Sequence, residues 1–227
     1  MRQIVLSSII FFLFSLMSPF SVDAQFGLRI KYNVNDLSGL DQDLSINSDG
    51  GKTLESSIEL GADYWFRLKK YRWEFLPELS FSYGSSEIPE NQSITQSAFN
   101  FYINNNIYIF DFGNDCDCPT FSKDGNAFTK GIHFIVTPGV SIYNTSFNEN
   151  GASSFSPSVA LGLGYDIGLD NLITISPFLL YRRAFSISVQ DAFPDETLTG
   201  DPYGLSQFQL GIRVGFRPDY SRSFGRR

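Results

Sequence analysis

The stretch FGLRIKYNV, residues 26–34, alternates between apolar and polar residues without interruption. The apolar positions are Phe26, Leu28, Ile30, Tyr32 and Val34, and the positions between them are Gly27, Arg29, Lys31 and Asn33. A period of two predicts a β-strand with one apolar face and one polar face. The alternation by itself does not say whether the apolar face meets a protein core or lipid.

The same alternation recurs along the chain and predicts eight strands. After the first strand they run through residues 58–68, 71–83, 97–110, 132–142, 155–167, 173–181 and 205–216. Ten residues, at about 3.3 Å each and a tilt near 40°, cover roughly 25 Å, which is the height of the apolar band of an outer-membrane barrel. Because ordinary strands average about five or six residues, eight such long strands favour a barrel over a sandwich. The predicted fold class is therefore all-β, an eight-stranded antiparallel up-and-down transmembrane β-barrel.

The connections predict which end of the barrel is which. Short turns are predicted at residues 69–70 and 168–171, and polar stretches at 35–53, 84–94, 144–154 and 188–203 are predicted as long, solvated surface loops. Short periplasmic turns and longer extracellular loops are the layout of outer-membrane barrels. The connection 111–130 departs from this rule, because it is long at the periplasmic end.

The two ends of the chain lie outside the predicted barrel. Residues 1–24 combine Arg2, an apolar run over 4–17 and the small-residue site Val22-Asp23-Ala24, which is the pattern of a secretory signal peptide. We therefore expect a signal peptide at 1–24, a barrel at 25–216 and a basic C-terminal tail at 217–227. The expected location is the outer membrane of a Gram-negative bacterium.

The polar face of the strands carries charges of both signs and many glycines. We predict that the charges form a network in the lumen, composed of Arg29, Lys31, Arg67, Arg72, Arg182 and Arg213 with Glu59, Asp63, Glu74, Glu78 and Asp166. Glycine suits the cramped interior of a narrow barrel, and it weakens a strand elsewhere. Aromatic residues near the strand ends are typical of interfacial girdles, so lipid is expected outside. The alternative is a soluble lipocalin-like barrel, whose apolar face would point inward.

The chain resembles the small eight-stranded outer-membrane barrels, the group that contains OmpA-like and OmpX-like proteins. In style it is most similar to barrels of Bacteroidota, on the pieces TPGVSIY (137–143), VALGLGYDI (159–167) and ISPFLLYRR (175–183). The resemblance covers the chain to about Phe216 and implies the same fold. For some such barrels it implies a PorT-like accessory role in secretion. Members often end on the last aromatic residue of the final strand, whereas here Phe216 precedes a tail with four arginines.

Few residues suggest chemistry. His133 is the only histidine, and on the polar face it is expected to bond to neighbouring polar groups rather than act as a general base. Cys116 and Cys118 are expected to form a strained local disulfide, with redox or metal roles as alternatives. Asn105 and Arg183 interrupt the apolar face and are candidate contacts with a protein partner or with lipid.

Composition narrows the expected function further. The net charge of −7 argues against nucleic-acid binding. The segment DQDLSINSDGG fails as a calcium loop because Ile46 stands where glycine is required. No cofactor and no metal site is predicted. We expect a non-enzymatic protein with a structural or interaction role and a plugged polar lumen. The alternatives are an accessory component of an envelope secretion or assembly complex, and a lipid-modifying enzyme that uses His133.

Overall fold

The structure is a computed structural model, and it describes residues 25–44, 54–67, 72–88, 92–111, 131–147, 150–169, 172–193, 198 and 202–216. The predicted signal peptide and C-terminal tail lie outside the described residues. So do Cys116 and Cys118 and most of the connection 111–130. The predictions made for these segments stay predictions.

The described chain forms eight long strands and several short elements. In chain order they are β1 (Gln25–Asp36), α1 (Ser38–Asp43), β2 (Ser56–Arg67), β3 (Trp73–Ile88), β4 (Gln92–Ile107), a 3-10 turn (Ile109–Asp111), β5 (Ile132–Phe147), β6 (Asn150–Tyr165), β7 (Ile167–Gly168), β8 (Ile173–Ile187), a second 3-10 turn (Gln190–Ala192) and β9 (Tyr203–Phe216). The two residues of β7 belong to the connection between β6 and β8. Every long strand pairs antiparallel with its neighbours, and β1 closes the sheet by pairing with both β2 and β9. The predicted eight-stranded antiparallel barrel is confirmed.

The pairing register sets the tilt of the strands. A path that steps from each residue to its partner on the next strand leads once around the barrel. It runs through Asp36, Ser206, Arg183, Val159, Pro138, Ile103, Pro77, Tyr64 and Phe26. The pairs Pro138–Ile103 and Pro77–Tyr64 follow from the register of the pairs on either side of them. The path returns to β1 ten residues below its start, which is the shear of the barrel. Eight strands with this shear tilt by about 41° and gain about 2.5 Å of height per residue.

Apolar side chains cover the outside of the barrel. Leu28 is 64% exposed, whereas Lys31 on the opposite face of the same strand is 1% exposed. The other strands repeat this distribution, which is the reverse of that in a soluble barrel and is the distribution of a transmembrane barrel. The prediction that the apolar face points outward is confirmed, and the soluble ligand-binding barrel is excluded. Among the described residues, no helix is long and apolar enough to cross a membrane.

Two of the predicted loops are wrong. Residues 84–94 and 144–154 mostly continue the strands, with β3 and β4 paired as far as Ile88–Gln92 and β5 and β6 as far as Phe147–Asn150. Polar residues were mistaken for loop residues, but a ladder above the membrane is held by backbone hydrogen bonds and needs no apolar face. The two hairpins rise roughly 10 Å beyond the top of β1.

The prediction that 35–53 and 188–203 are solvated loops is also wrong for several of their described residues, although others, such as Asp191, are exposed. Leu37 and Leu40 of the α1 segment, Phe193 after the second 3-10 turn and Tyr203 at the top of β9 are buried together in the extracellular mouth. They pack against Ile94, Ala98, Tyr143, Ala152, Ala184, Ile187 and Leu205, which line the upper barrel wall. We call this apolar group the cap. Among the described residues, the cap packs inside the extracellular end of the barrel.

Glycines leave room for large side chains in the narrow lumen. The ring of Tyr102 occupies the space above Gly139, and a Cβ at Gly139 would also lie 2.8 Å from the carbonyl oxygen of Phe101. His133 fills the corresponding space at Gly164, its paired residue on β6. A Cβ at either position would overlap the ring that now fills the gap.

Candidate functional site in the barrel lumen

The centre of the lumen contains seven charged side chains in which cations and carboxylates alternate. In order from the periplasmic side they are Arg213, Asp63, Arg29, Glu78, Lys31, Glu59 and Arg182, and each is paired with the next. We call this series the charge chain. All seven side chains are buried, so the pairs are shielded from solvent and their geometry must satisfy each charge.

Asp63 holds the periplasmic end of the charge chain. Arg213 donates to it from Nε at 2.8 Å and from Nη2 at 2.7 Å, and Arg29 donates from Nε at 2.8 Å. Two guanidinium groups therefore share one carboxylate. The pairing register explains why they meet, since Asp63 lies opposite Gly27, one inward-facing position below Arg29 on β1.

Lys31 occupies the middle of the charge chain. Its Nζ lies 2.7 Å from Oε1 of Glu59 and 2.6 Å from Oε1 of Glu78, and it sits 4.9 Å from the ring centroid of Tyr102. The Ser80 hydroxyl donates to the same Glu59 oxygen at 2.6 Å. Both carboxylates are therefore fixed by the ammonium group and its neighbours.

Arg182 ends the charge chain on the extracellular side. Its Nη1 donates to the Tyr102 hydroxyl and lies 3.5 Å from Oε2 of Glu59, and its guanidinium carbon stands 3.8 Å from the Tyr102 ring centroid. Tyr102 is thus held between Lys31 and Arg182. These contacts join β1, β2, β4 and β8 across the lumen.

A second polar cluster closes the periplasmic rim. The Tyr108 hydroxyl donates to Oε2 of Glu74 at 3.1 Å and to Oδ2 of Asp166, and Ser176 donates to the other Asp166 oxygen. Arg72 covers the Tyr108 ring at 4.1 Å. Tyr108 therefore ties the end of β4 to the turn after β6.

Asp166 lies in that turn, outside the strands. Burial opposes its ionisation, but nearby His133 and the hydroxyl groups of Ser176 and Tyr108 outweigh burial and hold the pKa of Asp166 below its ordinary value. Burial, together with the same carboxylate, raises the pKa of Tyr108 well above its usual range. Tyr108 therefore keeps its proton at neutral pH and serves as a hydrogen-bond donor there.

The predicted lumen residues come together, apart from one whose side chain is not described. The buried ones are Arg29, Lys31, Glu59, Asp63, Arg72, Glu74, Glu78, Arg182 and Arg213. Asp166 is nearly buried at the rim, with 9% of its side chain exposed. The side chain of Arg67 lies outside the described residues, and only its pairing opposite Glu74 is given. Sequence reasoning missed Tyr102 and Tyr108. The signal for both was an aromatic residue in phase with the polar face of β4, with Tyr102 inside the strand and Tyr108 directly after it.

His133 faces the lumen near the periplasmic rim. It is 1% exposed, its Nδ1 lies 3.1 Å from the Gly131 carbonyl oxygen, and its ring packs on Tyr108. Ser141, on the same face of β5, bonds to Tyr102 instead. Within the described residues, no group of three or more His, Cys, Asp or Glu side chains is placed to hold a metal ion.

Asn105, which faces lipid in mid-strand, finds its partners in the barrel itself. Its Nδ2 donates to the carbonyl oxygens of Ile103 and Val136, both at 2.9 Å. The continuing register places Pro138 opposite Ile103, and proline has no N–H to give to the ladder. The Asn105 amide therefore supplies a donor at the point where the backbone lacks one.

Arg183 lies on the outer wall near the extracellular end. Its Nη1 donates to the Ser206 hydroxyl, and its guanidinium group lies against Gly204. The Tyr181 hydroxyl donates to the same Ser206 oxygen at 3.3 Å. This position is close to the upper boundary of the apolar band, where an arginine costs little.

No family model and no curated protein matches the chain. Among solved structures, Neisserial surface protein A is 12% identical, with 85% of this chain and 97% of that chain covered and a TM-score of 0.43. Ail, the attachment invasion locus protein of Yersinia pestis, in complex with the heparin analogue sucrose octasulfate, is 12% identical, with 86% and 100% covered and a TM-score of 0.45. The outer membrane enzyme PagL is 10% identical, with 82% and 97% covered and a TM-score of 0.38. At these identities a shared function does not follow.

Proposed function

We propose that this chain is a non-enzymatic outer-membrane protein with a structural or interaction role, and that its lumen does not conduct. The observation that carries this proposal is the packing of buried side chains inside the barrel. The charge chain occupies the middle of the barrel, and the cap packs inside its extracellular end. An eight-stranded barrel has room only for side chains or one small ligand.

Conductance in planar bilayers tests whether the lumen is sealed. We expect no steady current steps from the purified, refolded protein. A variant with both Lys31→Ser and Arg182→Ser removes two of the large side chains in the lumen, and we expect it to conduct where the parent does not. Large steady currents from the unmodified barrel would refute the proposal.

The projecting hairpins support an interaction role on the extracellular side. Their outward faces, above the apolar band, carry short hydrogen-bonding side chains, among them Ser85, Ser93, Asn144, Ser146 and Ser153, all exposed. Such a surface suits a hydrated partner rather than lipid. A photo-crosslinking residue at Ser146 is expected to form discrete protein or glycan adducts in native membranes, whereas one at lipid-facing Leu161 serves as the matched control. Identical lipid-only adducts at both positions would count against the interaction role.

A second candidate is an accessory role in an envelope secretion or assembly complex. It is favoured by Ile109 and Phe110, which are 53% and 64% exposed at the periplasmic end, just before the connection 112–130. A crosslinker at Phe110 is expected to capture a stoichiometric envelope protein if this role is correct. Capture of lipid alone would leave the structural role as the better account.

The lipid-modifying alternative has the weakest support. His133 is buried inside the barrel, away from the outer wall where a lipid would bind. We expect His133→Ala to leave the lipid profile of the cell unchanged. A lost or altered lipid species that returns with the unmodified gene would reverse this assignment.

A further inference from the structure

We propose that the lumen binds a small monocarboxylate at Arg182, between the charge chain and the cap. The first argument is charge. The charge chain contains four cations and three carboxylates, and it has an arginine at both ends. At the periplasmic end, the acidic groups of the rim, Asp166 and Glu74, also act on Arg213. At the other end, the carboxylates that interact electrostatically with Arg182 are Glu59 and Glu78. Both already form ion pairs with Lys31 in the charge chain.

The second argument is the free edge of the Arg182 guanidinium group. Its Nη1 is engaged by Tyr102 and Glu59, but its Nε and Nη2 have no hydrogen-bond partner. The residue is 2% exposed, so these two N–H groups are buried. They form the edge with which arginine grips a carboxylate through two parallel hydrogen bonds. Buried donors of this kind almost always have a partner in a folded protein.

The third argument is that other unpaired polar atoms lie on the two strands that flank β8, within two residues of the level of Arg182. Gln207 pairs with Arg182 across β8 and β9, and Ser158 pairs with Ala184, two residues above Arg182. The Ser158 hydroxyl and the Oε1 atoms of Gln207 and Gln209 are buried without a partner. An occupant that accepts from Arg182 and Ser158, and that carries a hydroxyl group or a bound water to donate to the glutamines, satisfies all of them.

The surroundings limit the size of the occupant. Ala160 is paired with Arg182 on β6, and Ala184 and Ser158 stand beside it, so only short side chains flank the arginine on that side. The cap lies directly above, and Glu59 lies beside the guanidinium group and repels a second negative charge. A one-carbon to three-carbon monocarboxylate therefore fits the site better than a divalent anion.

Refolding in the presence of candidate anions tests the proposal. Because Arg182 is buried, the anion is supplied during refolding in detergent, as formate, acetate or glycolate against chloride at the same ionic strength. We expect the carboxylates to raise the ratio of folded to unfolded protein in urea by tenfold or more at saturating concentration, by binding only the folded state. Glycolate, with its hydroxyl group, is expected to act at the lowest concentration.

Variants assign the effect to the site. Arg182→Lys keeps the positive charge but removes the pair of parallel N–H donors. We expect carboxylates to stabilise this variant no more than chloride does. Ser158→Ala, a smaller change that retains the charge chain, is expected to weaken it several-fold. Arg183→Lys, on the neighbouring residue that faces outward, is the matched control and is expected to behave like the parent. If the carboxylates act no more strongly than chloride on the parent, or if Ser158→Ala and Arg182→Lys respond like the parent, the unpaired atoms hold only water and the proposal is wrong.

Discussion

Replacing Asp63 with asparagine tests whether the charge chain holds the barrel together. Asp63 is fully buried and is the shared acceptor of Arg29 and Arg213. In Asp63→Asn, one carboxylate oxygen becomes an NH₂ group that faces guanidinium donors, and two cations lose their counter-charge. Breaking a buried pair in this way costs about 3–5 kcal/mol. The folding equilibrium constant is therefore expected to fall by a few hundred- to a few thousandfold.

Equilibrium unfolding in urea, with the barrel in lipid vesicles and tryptophan fluorescence as the signal, measures this loss. Asp191→Asn, which removes an exposed carboxylate from the extracellular 3-10 turn, is the matched control and should change the unfolding free energy by less than about 0.5 kcal/mol. The double variant Asp63→Asn with Arg213→Gln should recover part of the loss, because it removes one of the two uncompensated cations. A stability for Asp63→Asn within experimental error of the parent would refute the reasoning that the pairs are shielded and mutually dependent.

Three further substitutions test other parts of the barrel. Gly139→Ala should prevent formation of the compact, heat-modifiable species on gels, because the added Cβ overlaps a lumen ring, whereas Gly151→Ala, with its nearest atoms 3.8 Å away, should fold normally. Asn105→Leu should lower the unfolding free energy by about 1–3 kcal/mol although leucine suits lipid better, and Pro138→Ala, which restores a backbone N–H, should relieve that loss. Tyr108→Phe should lower the unfolding free energy by a similar amount, because it leaves Glu74 and Asp166 without their shared donor. An unchanged midpoint in a urea titration would contradict the hydrogen bonds at the periplasmic rim.

The sequence predicted the faces of the strands well because alternation is a local signal. Arg29 and Lys31 on β1 were placed in the lumen from their neighbours alone, and the structure buries both. Their partners were not predictable in the same way. Arg182 meets Glu59 across the lumen, 123 residues away in the chain, and only the closure and shear of the barrel bring them together.

Asn105 is a second residue whose role depends on a neighbouring strand that its own sequence context does not reveal. A polar residue on a lipid face looks like a contact point for a partner when only its own strand is considered. Its explanation lies in Pro138, on the next strand, which removes a donor that the amide replaces. The cap was missed for a related reason, since Leu37 and Leu40 are scattered among acidic residues, and that composition is typical of solvated loops.

The charges on the polar face also fix the register of the barrel. Arg29 and Lys31 alternate with lipid-facing Leu28 and Ile30, so a slip of one residue in the pairing of β1 would turn both cations into the hydrocarbon. Each exposed cation would then cost about 2–4 kcal/mol at the bilayer midplane, in addition to the lost pairs. The alternative registers are therefore penalised even if a buried ion pair adds little net stability to the correct one. This reasoning predicts that replacing paired lumen charges by apolar residues of similar size produces misregistered barrels before it produces unstable ones, and disulfide trapping between facing positions of β1 and β2 would detect them.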